Sequence, residues 1–189
     1  MRLKKRIKVV YILIAVMIVF VAVLIPDSRS QTSFSPAFRL PVKNDSIARD
    51  SVKKGAHREF VVDSVITFVK KFLGLRYRSG GSTPSGFDCS GYVSYIFKKF
   101  GYTLPHSSSA MSAVGEKIDI KKAKPGDLIC FKGRSTKTNR VGHVALIIKA
   151  DSGQITMMHS ACKGGVIIER YNNSPYYTRR FVMCRRVNL

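Results

Sequence analysis

The hydrophobic period changes once along this chain, at Pro125-Gly126-Asp127, and that change restricts the folds open to it. Upstream, apolar residues recur at helical spacing. Val61, Val65, Phe68, Val69 and Phe72 fall at i, i+4, i+7, i+8 and i+11, which predicts a helix of about four turns closed by Gly74. From Cys89, the residues Tyr92, Val93, Ile96, Phe97 and Phe100 follow the same pattern, with Ser94, Lys98 and Lys99 opposite and Gly101 at the C-terminal stop. Downstream, Leu128–Phe131, Val141–Lys149, Gln154–Ser160, Val166–Tyr171 and Arg180–Val187 are short and rich in β-branched or aromatic residues. Turn signals at Asp151-Ser152-Gly153 and Lys163-Gly164-Gly165 separate them. Helices first and then a meander of strands imply an α+β domain whose N-terminal helices pack on a C-terminal antiparallel sheet.

Chemistry concentrates at the start of the second helix. Cys89 heads its apolar face, preceded by Gly86-Phe87-Asp88 and followed by Ser90-Gly91-Tyr92. Backbone N–H groups and the positive end of the helix dipole point at a side chain placed there, and both favour thiolate over thiol. A thiolate is a nucleophile. A single helix cysteine more commonly serves as a small buried hydrophobe, so the assignment depends on what else the chain supplies.

A cysteine nucleophile needs a base and a group that orients the base. His57 precedes the first helix and His106 sits in the loop Leu104-Pro105-His106-Ser107. His143 heads the apolar strand Val144 to Ile148, and His159 ends the next strand. With a turn centred near Ser152, antiparallel pairing sets residue 143 roughly opposite residue 160, so the two histidines are expected to be near neighbours. The four cysteines, Cys89, Cys130, Cys162 and Cys184, lack metal-ligand spacing, and neither metal nor cofactor is expected. One disulfide with a free thiol, or three buried thiols, fits the cysteines other than Cys89.

The N-terminus carries Arg2, Lys4, Lys5, Arg6 and Lys8, then unbroken apolar sequence from Val9 to Ile25, ended by Pro26. This is the pattern of an export signal or membrane anchor over residues 1–30, with Ser28-Arg29-Ser30 offering small residues for cleavage. Residues 31–56 read as a linker and 57–189 as one domain. The domain is expected outside the cytoplasmic membrane, in the periplasm or cell envelope, with the apolar run a candidate anchor. The formal charge is +22, and residues 57–189 hold 22 Lys/Arg against 8 Asp/Glu. A basic exported domain is drawn to polyanions. Anionic lipid or wall polymer is the candidate partner, plain solubility is an equal reading of the charge, and nucleic acid is not expected.

Tyr77-Arg78-Ser79-Gly80-Gly81, Gly86-Phe87-Asp88-Cys89-Ser90-Gly91-Tyr92, Leu104-Pro105, Pro125-Gly126-Asp127-Leu128, Gly142-His143-Val144 and His159-Ser160-Ala161 stand in that order. In this the chain resembles the NlpC-type cell-wall endopeptidases, a papain-like cysteine peptidase family, from about residue 58 to 187. The resemblance implies a papain-like fold with Cys89 as nucleophile, His143 as general base and His159 as the polar residue that orients it. It also implies substrate contacts from Tyr77, Asp88 and Ser90, and hydrolysis of peptidoglycan stem peptides between D-glutamate and the diamino acid, without a metal. His106 departs from the pattern, standing where relatives often carry arginine, as does Ala145, where glycine is common. Cys130 and Cys162 match no family position. An amidase or acyltransferase on the same fold, and a non-enzymatic basic envelope-binding protein, are the other classes these residues allow.

Overall fold

The computed structural model describes residues 45–189. The first helix, α1 (Asp45–Val69), runs into a 3-10 turn over Lys70–Phe72. The helix and this turn bury Val65, Val69 and Phe72 of the face that periodicity marks; Val62, outside that set, is buried as well, while Val61 and Phe68 are only half-buried. The helix begins inside the segment read as linker. The stretch 45–60 contains no proline and only Gly55 as a breaker, so a helix nucleated by the packed residues beyond it propagates backwards through it. The apolar run 9–25 lies outside the described residues. Among the described residues, no helix is long and apolar enough to cross a membrane.

After Leu73 the chain forms a small hairpin, β1 (Ser82–Thr83) with β2 (Gly86–Phe87), and enters α2 (Cys89–Lys99). Helix α2 buries Tyr92, Val93, Ile96 and Phe97, and Gly101, at φ +86°, turns the chain away from it. Phe72 meets Phe87, Tyr92 and Tyr95 edge to face, and the buried Tyr92 hydroxyl donates to the Val69 carbonyl. These contacts fix α2 against α1. A single-turn helix, α3 (Ser108–Met111), follows, capped by the Ser107 hydroxyl.

The sheet contains β3 (Glu116–Ile118), β4 (Leu128–Lys132), β5 (Val141–Asp151), β6 (Gln154–Ala161), β7 (Gly165–Arg170) and β8 (Phe181–Arg186). Its order is β3-β8-β4-β5-β6-β7, antiparallel throughout. The α+β expectation is met. The meander, however, extends only from β4 to β7. A short helix, α4 (Pro175–Thr178), carries the chain back so that β8 inserts between β3 and β4.

Both faces of the sheet are covered. Val144, Leu146, Met158 and Cys130 join α1 and α2 in one core, while Phe131, Ala145, Ile147, Met157, Tyr177 and Cys184 form a second core on the other face. Cys130 and Cys184 therefore sit on opposite faces, and all four cysteines are free thiols.

Asp127, fully buried, joins the helices to the sheet. Its carboxylate accepts from Arg58 Nη2 at 2.8 Å, Arg186 Nη2 at 2.7 Å and the Lys124 backbone N–H at 2.7 Å. One carboxylate thus ties α1, the turn before β4 and the C-terminal strand together.

Candidate active site

Asp88 is the N-cap of α2. Its extended backbone leads into the helix, and its Oδ1 accepts from the Gly91 N–H at 2.6 Å and the Ser90 hydroxyl at 3.0 Å. The Asp88 N–H donates to the Gly81 carbonyl at 2.8 Å. Gly91 packs so closely on that carbonyl and on the His106 ring that any Cβ would collide with both. The sequence Asp-Cys-Ser-Gly is therefore a tightly seated helix start with Cys89 as its first helical residue.

His106 Nε2 lies 3.0 Å from Asp88 Oδ2. Where the resemblance leads one to expect arginine, a histidine supplies the partner for the capping carboxylate. Ser90 is buried with its hydroxyl turned to Asp88. Of the three residues named as substrate contacts, Asp88 and Ser90 are thus engaged with each other.

Cys89 is half-buried, with the backbone N–H groups of Ser90 and Val144 beside its sulfur. Burial pushes the thiol up, and the Asp88 charge adds to that, against the opposing pull of the two N–H groups. The expectation of a favoured thiolate is corrected here: desolvation of the sulfur outweighs the N–H groups beside it. Val144 directly follows His143 on β5, so the sulfur abuts the strand that carries the expected base.

His143 and His159 are in contact. His143 Nε2 lies 3.0 Å from His159 Nδ1, with the rings at 85°. Tyr177 stacks on His143 at 5.7 Å and meets His159 edge-on at 5.2 Å, and Phe131 lies 6.0 Å from His143. Enclosure by these rings pushes the His143 imidazole down, as does the neighbouring His159. His159 is fully buried and likewise pushed down by burial, although Glu169 pulls the other way. At neutral pH the pair is uncharged. The His159 Nε2 atom faces Glu169 Oε2 at 3.2 Å.

Tyr77 lies in the segment before the β1–β2 hairpin. It bridges Phe87, and Phe87's carbonyl accepts from the buried Ser160 hydroxyl at 2.7 Å, which ties the segment before α2 to the end of β6. Burial and its hydrogen bond with Cys162 push the Tyr77 phenol up to about 12, with smaller contributions from Cys89 and Asp88. Tyr77, Asp88, Cys89 and Cys162 are therefore near one another. Beside Gly142 opens a cavity of about 400 Å³ lined by Ser107, Ser109, Arg134, Thr138 and Arg140. It borders the residue before His143.

The NlpC/P60 family model matches residues 74–186, which include every residue of this arrangement. The chain belongs to the NlpC/P60 family. Gamma-DL-glutamyl hydrolase of Bacillus subtilis (strain 168) is 35% identical over 124 residues, covering 65% of this chain and 29% of that protein. Murein DD-endopeptidase MepS/Murein LD-carboxypeptidase of Escherichia coli (strain K12) is 37% identical over 115 residues, covering 60% of this chain and 56% of the relative. The chain thus spans only part of the length of these curated relatives. A crystal structure of an NlpC/P60 family protein from Bacillus cereus ATCC 10987 superposes with a TM-score of 0.61 at 34% identity, covering 68% of this chain and 40% of that one.

Within this NlpC/P60 domain, sequence reasoning missed Tyr177 and Glu169. Tyr177 lies in a segment without periodicity. Glu169 carried a usable signal. It is an acidic residue following the apolar run Val166–Ile168, two positions beyond the residue that pairs with His159.

Proposed function

We propose that this NlpC/P60 chain is a cysteine peptidase that hydrolyses amide bonds in peptidoglycan stem peptides, between D-glutamate and the diamino acid. The observation that carries the reading is the His143–His159 pair on β5 and β6, with Val144, the residue after His143, placing its backbone N–H beside Cys89. The activities in the two relatives' names, a glutamyl hydrolase and a murein endopeptidase, support the substrate class. The basic surface suits an anionic wall polymer.

His143 Nε2 is engaged with His159, so its Nδ1 is the nitrogen left to serve Cys89. As the sulfur attacks the amide carbonyl, its proton passes to Nδ1, because both groups start neutral. The tetrahedral oxyanion forms beside the backbone N–H of Cys89 at the start of α2, with the Tyr77 hydroxyl nearby. The C–N bond breaks, the imidazolium returns the proton to the leaving amine, and a thioester remains. Water, deprotonated by His143, then hydrolyses the thioester and frees Cys89. His159 holds the base in place. Asp88 and Ser90 shape the entrance through their mutual hydrogen bond and present the capping carboxylate toward the substrate peptide.

The apolar run of residues 9–25 directs the domain to the cell envelope in this reading. Digestion of purified peptidoglycan fragments, with products weighed by mass spectrometry, tests the activity. The expected products are fragments cut after D-glutamate, absent with Cys89→Ala. Unchanged fragments with the full chain, or cleavage retained in Cys89→Ala, would overturn it.

A further inference from the structure

We propose that Glu169 is a positioning residue that fixes the tautomers of both histidines and thereby leaves His143 Nδ1 free to act as base. The inference rests on the assignment of His143 as base in the proposed reaction. It starts from strand register. His159 pairs with Ile167, and Met157 with Glu169, so Glu169 lies diagonally across from His159 on the same face of the sheet. Its Oε2 is 3.2 Å from His159 Nε2, and His159 is completely buried while the Glu169 side chain keeps 32% of its surface.

A neutral imidazole has one donor nitrogen and one acceptor nitrogen, and a carboxylate only accepts. Glu169 therefore requires the proton of His159 to sit on Nε2. His159 Nδ1 must then accept. Its partner, His143 Nε2, must donate, so the His143 proton is on Nε2 and Nδ1 carries a lone pair. Each step has a single solution once Glu169 is in place. Without the carboxylate, His159 can carry its proton on Nδ1 and donate to His143 Nε2. The His143 proton then moves to Nδ1, the nitrogen needed to accept from Cys89, and the base is lost. A glutamine at 169 makes the reversed arrangement available at nearly the same volume, because its amide can donate to His159 Nε2.

The test compares wild type with Glu169→Gln and Glu169→Asp, each also in a Cys89→Ala background. Nitrogen-15 NMR of the two imidazoles should show protonated Nε2 and bare Nδ1 on His143 in wild type, and a mixed or reversed pattern in Glu169→Gln. In hydrolysis of peptidoglycan fragments, Glu169→Gln should lower kcat about 10- to 100-fold with KM within about twofold. Glu169→Asp should restore part of the rate. Unchanged tautomers in a folded Glu169→Gln protein would overturn the proposal, as would full activity in it. The NMR comparison in the Cys89→Ala background needs no turnover, so it decides the role of Glu169 even if the hydrolytic reading fails.

Discussion

His143 and His159 share a face of the sheet because β5 carries one residue more than β6 between the turn and the site. From the turn, Asp151 pairs with Gln154 and Lys149 with Thr156, and then the register shifts so that Ile147 pairs with Met157. Ile148 is the unmatched residue. Continued without the bulge, the register would set His143 and His159 on opposite faces, since a shift of one residue inverts every side chain. With the bulge, Ala145 falls opposite His159, and His143 becomes its diagonal neighbour at 3.0 Å.

Acid should weaken the fold through this pair. Both imidazoles are held below their ordinary value of about 6.5, His143 as far as about 3. Below pH 6.5 the unfolded chain therefore binds protons that the folded pair refuses, and stability falls as pH falls. The loss approaches about 1.4 kcal/mol per pH unit for each histidine. Thermal unfolding between pH 7.5 and 5.5 should show a falling Tm in wild type and a flatter profile in the His143→Gln/His159→Gln variant. Parallel profiles would show that the pair is not the source.

His143→Ala should leave the fold intact and reduce hydrolysis by about 10²- to 10⁴-fold, the range for a general base. The circular dichroism spectrum should be unchanged while kcat collapses. A loss below tenfold would remove His143 from the reaction.

The apolar faces of α1 and α2, the strands β4 to β8 and the residues of the candidate triad were legible because periodicity and turn residues are local signals; β3, the β1–β2 hairpin and the first half of α1 carry no such signal. Tyr92, Ile96 and Gly101 mark α2 without any knowledge of its neighbours. What was not legible is non-local. The Ile148 bulge alters the face on which His143 lies, and nothing in Leu146-Ile147-Ile148 announces it. The return of β8 beside β4 depends on packing around Asp127. Cys89 reads as an activated thiol from its helix position, whereas its burial depends on β5, more than fifty residues later in the chain.

Asp127→Asn should destabilise the domain by about 3 kcal/mol, the low end for removing one partner of a buried ion pair, because Arg58 and Arg186 keep some contact with water. Denaturant unfolding should show a lower midpoint with an unchanged slope. A shift below about 1 kcal/mol would mean that the carboxylate charge matters little to the joint between α1 and β8.

Thiol reactivity should follow exposure and burial together. Cys130 and Cys184 are buried and pushed up to about 12, so they should resist alkylation in the folded protein. Cys162 is exposed and Cys89 half-buried, so at neutral pH limiting iodoacetamide should modify Cys162 first. In Cys162→Ser, labelling of Cys89 should then proceed in step with loss of hydrolysis. Loss of hydrolysis that instead follows labelling of Cys130 or Cys184 would contradict this ordering.

The most direct measurement is of the covalent intermediate. Protein in the Cys162→Ser background, mixed with a stem peptide and quenched in acid within the first turnovers, would be digested and mapped by mass spectrometry. The account predicts an added mass equal to the acyl half of the substrate on the peptide containing Cys89, absent in Cys89→Ala. Hydrolysis without that adduct, or an adduct on any other residue while Cys89→Ala still turns over, would contradict it.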